Sequence, residues 1–378
     1  MSSRQPVAAF AARHDSNVQD TEYRAMPAAT KSGATVSMRE IARVAGVSRT
    51  AVYHVVNNRT GEVSDDTRER ILKSMREMGY TPPPRVTQRD ERNIEIVGCV
   101  ITASAPHLTQ PGYYRKMLDS ILLASEPHSI NLTLFTGDLF SVDTSEKVRL
   151  YCDGRCDGML LTALRVDSNL PAILAERGTP FAIIGSRSNF VDGYTIDIDN
   201  EHAITTLVKH LLEHGHRRIA FCPGPNYIPS AFERNHAFHR CAAEFGFHAV
   251  TVAGLENTCE PEQWPEWTER ILSLPEGERP TAIVGWNDGS ALVAVEQAQK
   301  MGLEVPADVS AVGIDDIEDF SNAAVALTSY RQPCGEIAEA AVAFLRRQFQ
   351  PGFEPGNVLV KGTLSVRASV APPREAQT

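Results

Sequence analysis

Between residues 47 and 57 the chain reads VSRTAVYHVVN, and its side chains divide into two sets. Wound as a helix from Arg49 to Asn57, this stretch turns Val52, Val55 and Val56 to one side, where Val47 joins them in a core. Arg49, Thr50, Tyr53 and His54 then lie on the opposite side. That second set is an array of hydrogen-bonding and stacking groups suited to reading base edges in the major groove of duplex DNA. Ser48 stands where it can cap the helix, and Gly46 permits the tight turn before it. Ser37-Met-Arg-Glu40 is a capping box that opens an earlier helix through Ile41 and Val44. Ala42, Gly46 and Val52 take the spacing of packing residue, turn glycine and core residue in a helix-turn-helix. Spacing alone suits an ordinary αα-hairpin equally well.

Other constellations suggest different chemistry and weaken on inspection. Adjacent Asp315 and Asp316 resemble an acid–base or metal pair, yet neighbours on an extended segment point in opposite directions. His214-Gly-His216 followed by Arg217 and Arg218 has metal-like spacing but sits where a helix ends at Gly215, so structural capping is the expectation. The seven cysteines form no CxxC pair and read as reduced thiols; a redox pair at Cys152 and Cys156 is the less favoured alternative. No GxSxG, HExxH, GxxxxGK or GxGxxG motif occurs in a suitable context. An enzyme is therefore not expected, nor a metal or other cofactor. The first residues carry only a short apolar patch, Val7 to Ala12, which is too short for a secretory signal. No apolar run approaches the roughly 18 residues that span a bilayer. The expectation is a cytoplasmic protein with no membrane partner.

Charge is distributed unevenly. The whole chain of 378 residues has a formal net charge of −10. Residues 36–92, however, hold 11 Lys/Arg against 8 Asp/Glu, a net of +3, whereas residues 93–378 hold 22 against 36, a net of −14. A mildly basic module on an acidic body can dock on phosphates locally while the body discourages nonspecific adhesion.

The elements that must position these residues follow from periodicity. Residues 1–35 read as a disordered leader and 36–81 as a three-helix module. A linker follows at 82–93, opened by Pro82-Pro83-Pro84, then a body at 94–370 and a disordered tail at 371–378. In the body, strands are expected at 94–101, 131–136, 157–162, 181–184, 218–222, 248–252, 281–285 and 309–313. Helical patterns such as 202–215 and 289–302 fall between them. This alternation predicts an α/β body of two doubly wound, parallel-sheet lobes beside a small all-α headpiece.

The stretch VSMREIARVAGVSRTAVYHVVNNRTGEVSDDTRERILKSMREMGYTP closely resembles the headpiece of the lac repressor family. The resemblance continues through DIDNEHAITTLVKHLLEHGHRRIAF, RPTAIVGWNDGSALVAVEQAQKMGLEVPADVSAVGIDD and LTSYRQP. It implies a homodimeric transcriptional regulator, a repressor, that binds a near-palindromic double-stranded operator. It further implies a two-lobed body of periplasmic-binding-protein type that holds a small polar effector, a sugar or sugar derivative by family precedent. A free solute-binding protein would share that body but would lack the headpiece.

The resemblance makes Arg49 and Thr50 the main base readers and gives Ser37, Ser48 and Asn57 phosphate or positioning roles. The family's V-S-x-x-T-V-S-R-V-x-N pattern is broken by Ala51, Tyr53 and His54, so an operator unlike the common family half-site is expected. Arg89 stands where the family's linker inserts a leucine into the minor groove. It is read either as an electrostatic contact to a narrow minor groove or as part of a solvated tether. Effector contacts implied by the resemblance are Tyr113 and Tyr114, Ser230 and Arg234, Asn287, and Asp315. Each has a duller alternative: Arg234 bridging surface carboxylates, Asn287 and Asp288 capping a helix, Asp315 capping a turn. Trp286 is either a stacking surface or a core residue, and Asp199 with Asn200 is a weaker candidate pair.

Overall fold

In the computed structural model the described residues are 38–56, 63–78, 94–101, 112–136, 144–162, 164–185, 194–316 and 325–374. They fall into two compact units, divided between Pro83 and Pro84. The expected leader and linker, together with Ser37, Asn57 and Arg89, lie outside the described residues, as does the side chain of Tyr53.

The first unit contains α1 (Met38–Ala45), α2 (Arg49–Val56) and α3 (Asp65–Glu77). Its core is Ile41, Ala42, Ala45, Val52, Val55, Ile71 and Met75, drawn from all three helices. Gly46 closes α1 at φ +61°, a backbone state that favours glycine, and the Val47 N–H donates to the Ala42 carbonyl at 3.0 Å. Ser64 caps α3, its hydroxyl accepting the Thr67 N–H, while Asp65 and Asp66 lie in the first turn, where the helix dipole favours negative charge.

The second unit holds two six-stranded sheets. The first is built from β1 (Ile96–Ile101), β2 (Asn131–Thr136), β3 (Gly158–Thr162), β4 (Phe181–Ile184), β5 (Thr195–Ile198) and the late strand β11 (Val358–Val360). The second takes β6 (Arg218–Cys222), β7 (His248–Val250), β8 (Ala282–Gly285), β9 (Ser310–Asp315), β10 (Thr328–Arg331) and β12 (Thr363–Ser365). Their orders are β11-β5-β4-β3-β1-β2 and β12-β10-β9-β8-β6-β7. Every pairing is parallel except β10 with β12. Strands β3, β4 and β9 are buried along their whole length, which is why they read as continuous apolar runs rather than alternating ones.

The remaining helices are α4 (Tyr113–Ser125), α5 (Thr144–Tyr151), α6 (Leu170–Glu176), α7 (Asn200–Glu213), α8 (Pro229–Phe245), α9 (Trp264–Leu272), α10 (Asp288–Lys300) and α11 (Cys334–Arg347). The chain passes between the sheets three times: from β5 into α7 and β6, from β10 into α11, and from β11 to β12. Each sheet reverses its winding direction once, between β1 and β3 in the first and between β6 and β8 in the second. Ligands of such sheets bind at the strand carboxyl ends beside that reversal.

The tail differs from expectation. Ala371 exchanges two hydrogen bonds with Ser310, and Arg374 pairs with Glu304 and Asp308. Residues 371–374 are thus tied to the second sheet, and only 375–378 lie outside the described residues.

Candidate functional site

On α2 the buried side is Val52, fully enclosed, and Val55, with Val47 half-buried beside them. Ser48, Arg49 and Thr50 are exposed, and the Ser48 hydroxyl accepts the Ala51 N–H at 3.1 Å, so it caps the helix as its position suggests. His54 is half-buried rather than fully on the free side. The exposed surface near the start of α2 is therefore Arg49 and Thr50 at its N-terminal turn, the turn through which a recognition helix meets base edges. A helix start also offers backbone N–H groups and a positive dipole end to phosphate.

The second constellation forms where the sheet topology requires. The helix after β1 begins with Tyr113 and Tyr114, the helix after β6 carries Ser230 and Arg234 in its first turns, and Asn287 caps the helix after β8. Asp315 ends β9. All six line one pocket, with Gly185, Asp197, Ile228, Trp286 and Gln332. They come from both lobes, and they meet because each sits at a strand's carboxyl end or at the start of the following helix.

The pocket's polar groups are held firmly. Arg234 is 3% exposed, and its Nε donates to Asn200 Oδ1 at 2.7 Å and its Nη1 to the Trp286 carbonyl at 2.6 Å. Arg234 is thus a buried, oriented cation and not a surface bridge. Asn200 braces it from behind and donates to Glu233, while Asp199 caps α7 by accepting the His202 N–H. Asn287 serves both its readings: its side chain accepts the Ser290 N–H at 2.9 Å in a capping box, and it also lines the pocket. Trp286 likewise forms pocket wall while packing against two hydrophobic clusters. Gly224 makes room for its indole, since a Cβ there would lie 2.4 Å from the ring.

Asp315 and Asp316 diverge, though not because the chain is extended. Both have positive φ, +127° and +53°, a costly state for residues with side chains. Asp315 turns into the pocket and accepts from Gln332 Nε2 at 2.6 Å. Burial, reinforced by Asp288 and opposed by Arg234, pushes its carboxyl up to about 7. Asp316 turns away to Arg331, Arg367 and Ser365, whose hydrogen bonds outweigh burial and hold it below the usual carboxylate range. Burial raises Tyr113 well above the ordinary phenol range and Tyr114 to about 12, so both remain neutral hydroxyls. They meet edge to face at 5.5 Å.

Sequence reasoning did not single out Asp197 or Gln332. Gln332 lies 17 residues beyond its partner Asp315, and Asp197 follows an unremarkable β-branched pair. The histidines near Gly215 are structural: His214 Nδ1 bonds the His210 carbonyl, and His216 Nδ1 pairs with Thr281. Among the described residues no group of three or more His, Cys, Asp or Glu is placed to hold a metal ion. No helix among them is long and apolar enough to cross a membrane.

Two family models match. Residues 37–83 match the model described as bacterial regulatory proteins, lacI family, and residues 208–370 match a periplasmic binding protein-like domain. Among curated relatives, the HTH-type transcriptional repressor PurR of Aliivibrio fischeri (strain MJ11) is 28% identical over 316 residues, 82% of this chain and 90% of that protein. PurR of Escherichia coli O139:H28 is 28% identical over 345 residues, 89% of this chain and 97% of its own length. The solved complex of transcriptional regulator CelR with cellobiose superposes with a TM-score of 0.64 at 25% identity, covering 88% of this chain and 99% of that one. A lac repressor dimer bound to operator and the anti-inducer ONPF shares the fold at a TM-score of 0.63 and 24% identity, with 89% and 99% covered.

Proposed function

Because the chain belongs to the lacI family of bacterial regulatory proteins, we propose that its pocket is an effector site controlling the affinity of the α2 surface for an operator. The protein is a sequence-specific DNA-binding transcriptional repressor with an effector-binding body, acting as a homodimer in the cytoplasm and catalysing no reaction. The observation that carries the effector assignment is the convergence of Tyr113, Tyr114, Ser230, Arg234, Asn287 and Asp315 on one pocket at the winding reversals of both lobes.

Arg49 and Thr50 are the principal base readers, supported by their exposure at the start of α2, and the helix-capping Ser48 lies beside them for a phosphate. Tyr53 and His54 complete the recognition surface, while Ser37, Asn57 and Arg89 are assigned by the family pattern. In the pocket, the tyrosines offer apolar faces and hydroxyls, Arg234 offers guanidinium donors, and Asp315 accepts from ligand hydroxyls. A small polar molecule fits this lining, and a sugar is the class to which the cellobiose of CelR points. Self-association is supported by Leu122 and Leu123 on α4 and Leu134 on edge strand β2, which are 50%, 69% and 43% exposed.

An effector shifts the lobes toward the arrangement it prefers, and operator affinity changes with that population. The coupling is reciprocal: operator DNA must change effector affinity by the same factor. The direct test selects genomic fragments on the full-length protein and then titrates the enriched site by fluorescence anisotropy, with and without each member of a saccharide and nucleobase panel. Enrichment of one near-palindromic site with a ligand-dependent affinity is the expected result. Binding no tighter than to random DNA overturns the regulator assignment; a specific site that no panel member affects overturns the effector assignment.

A further inference from the structure

The pocket has an acid on each lobe. Asp197 belongs to β5, where Ile196 and Ile198 join the hydrophobic core, so the alternation of the strand sends Thr195 and Asp197 to the other side. Its carboxyl is almost fully enclosed at 4% exposure, takes the Ile198 N–H on Oδ1 at 2.7 Å, and lines the pocket. Asp315 lines the same pocket from the end of β9 in the other lobe. We infer that Asp197 and Asp315 form a two-sided carboxyl clamp, one jaw per lobe, whose effector is an uncharged or cationic molecule with hydrogen-bond donors on two opposed edges. This rests on the pocket being the effector site.

The charge around the cleft supports the exclusion of anions. An ionised carboxylate accepts hydrogen bonds and donates none, so a molecule that meets either jaw must meet it with a donor. Among the described residues, the cations that act on Asp315 are Arg234 and Lys116. Arg234 is also anchored through two of its nitrogens to Asn200 and the Trp286 carbonyl. A phosphate or carboxylate entering here has to compete with Asp315 for Arg234 while facing Asp197. A polyol or a nitrogen-bearing ring has neither difficulty. It gives donors to both acids and presents a face to Tyr113, Tyr114 or Trp286.

The clamp also explains how closing can depend on occupancy. Drawing the lobes together over an empty pocket brings two acids nearer in a medium that screens poorly. A molecule with donors on both edges converts that opposition into attraction and adds preference for the closed form. The strained backbone at Asp315, φ +127°, is the kind of feature found at ligand clamps. Burial pushes Asp315 to about 7, so this jaw reaches full acceptor strength at mildly alkaline pH.

The test uses the full chain and isothermal calorimetry at pH 8 with glucose, galactose, ribose, cellobiose, adenine and guanine, each sugar beside its phosphate ester where one exists. Asp197→Asn is the main variant and Asp197→Ser the second, each accepted only if its ligand-free melting point stays near that of the parent. An unphosphorylated compound is expected to bind, and its phosphate ester to bind at least a hundredfold more weakly. Asp197→Asn is expected to weaken the binder about ten- to a hundredfold, as losing a charged hydrogen bond does. Monodeoxy analogues of the binder locate the donor: one of them weakens the parent but brings no further loss in the variant, which a merely structural effect would not reproduce. Undiminished binding by both variants, or preference for a phosphate ester, overturns the clamp and leaves the effector site standing. A panel in which nothing binds overturns both.

Discussion

Arg49 and Asp315 carry the two halves of the proposed function, and each makes a separate prediction. Arg49 is exposed at the start of α2, so its replacement leaves the Val52 and Val55 core intact. Arg49→Ala is expected to weaken operator binding by about 1–3 kcal/mol and to relax preference at one base position, read by anisotropy against a library of single-base operator variants. Asp315 is predicted to make stability depend on pH. Its carboxyl is raised to about 7 in the fold, whereas an unfolded chain loses that proton near about 3.9. Between these values the folded state binds more protons, so this group's contribution to stability falls as pH rises and is at its least favourable above 7. Asp315→Asn is therefore expected to gain melting temperature relative to the parent at pH 8 but not at pH 4, while losing effector affinity. Equal differences at both pH values would show that Asp315 is an ordinary carboxylate. The six pocket residues were accessible from family resemblance, but their bracing was not. Asn200 behind Arg234 and Gln332 on Asp315 are contacts between segments distant in sequence, and no local pattern encodes them.

At the scale of elements, apolar β-branched runs made most strands legible, because a strand buried on both sides needs little else. Strands β2, β4 and β6 occupy the segments expected from such runs. Strands β5, β10, β11 and β12 escaped because Thr195–Ile198, Thr328–Arg331, Val358–Val360 and Thr363–Ser365 are short or polar, and they are strands through tertiary pairing. The last two lie on either side of the third crossing, where Gly362 donates its N–H to the Tyr330 hydroxyl at 2.7 Å. That hydroxyl also pairs with His202 Nδ1 at 2.8 Å, so the second and third crossings are fastened to the start of α7. A Cβ at Gly362 would fall 2.0 Å from the Arg331 carbonyl oxygen. Gly362→Ala is expected to displace this crossing and lower stability by at least ~2 kcal/mol, measured by urea denaturation, with Tyr330→Phe costing about 1–3 kcal/mol through the two orphaned partners. A Gly362→Ala variant as stable as the parent would mean the crossing moves freely.

For the whole molecule, the uneven charge has a counterpart in assembly. A headpiece with a net of +3 in residues 36–92 provides few phosphate contacts. In the homodimer proposed above, two copies on a two-fold operator double them, which links dimerisation to operator affinity. The exposed leucines of α4 are the surface on which that linkage is tested. Leu123→Asp, at a position 69% exposed, should leave the fold intact yet shift sedimentation toward the monomer and make operator binding depend steeply on protein concentration. An unchanged dimer would place the subunit interface elsewhere. The small-domain-plus-body organisation was legible from the break in periodicity after Tyr80 and the change of charge sign beyond it, since these are properties of long segments. The tail was not: Arg374 and Ala371 look like featureless terminal residues, and only the carboxylates of Glu304 and Asp308 and the hydroxyl of Ser310 give them partners.

Strands β11 and β12 stand at the outer edges of different sheets but are separated in the chain by two residues, Lys361 and Gly362. During synthesis, both lobes therefore wait for the same late stretch of polypeptide before either is finished. A ribosome stalled near residue 350, or a nonsense codon there, leaves two unfinished margins at once, β5 and β10, each offering unpaired backbone to a neighbour. Nascent chains released at that length should be captured by chaperones or aggregate, whereas release after residue 374 should yield soluble protein.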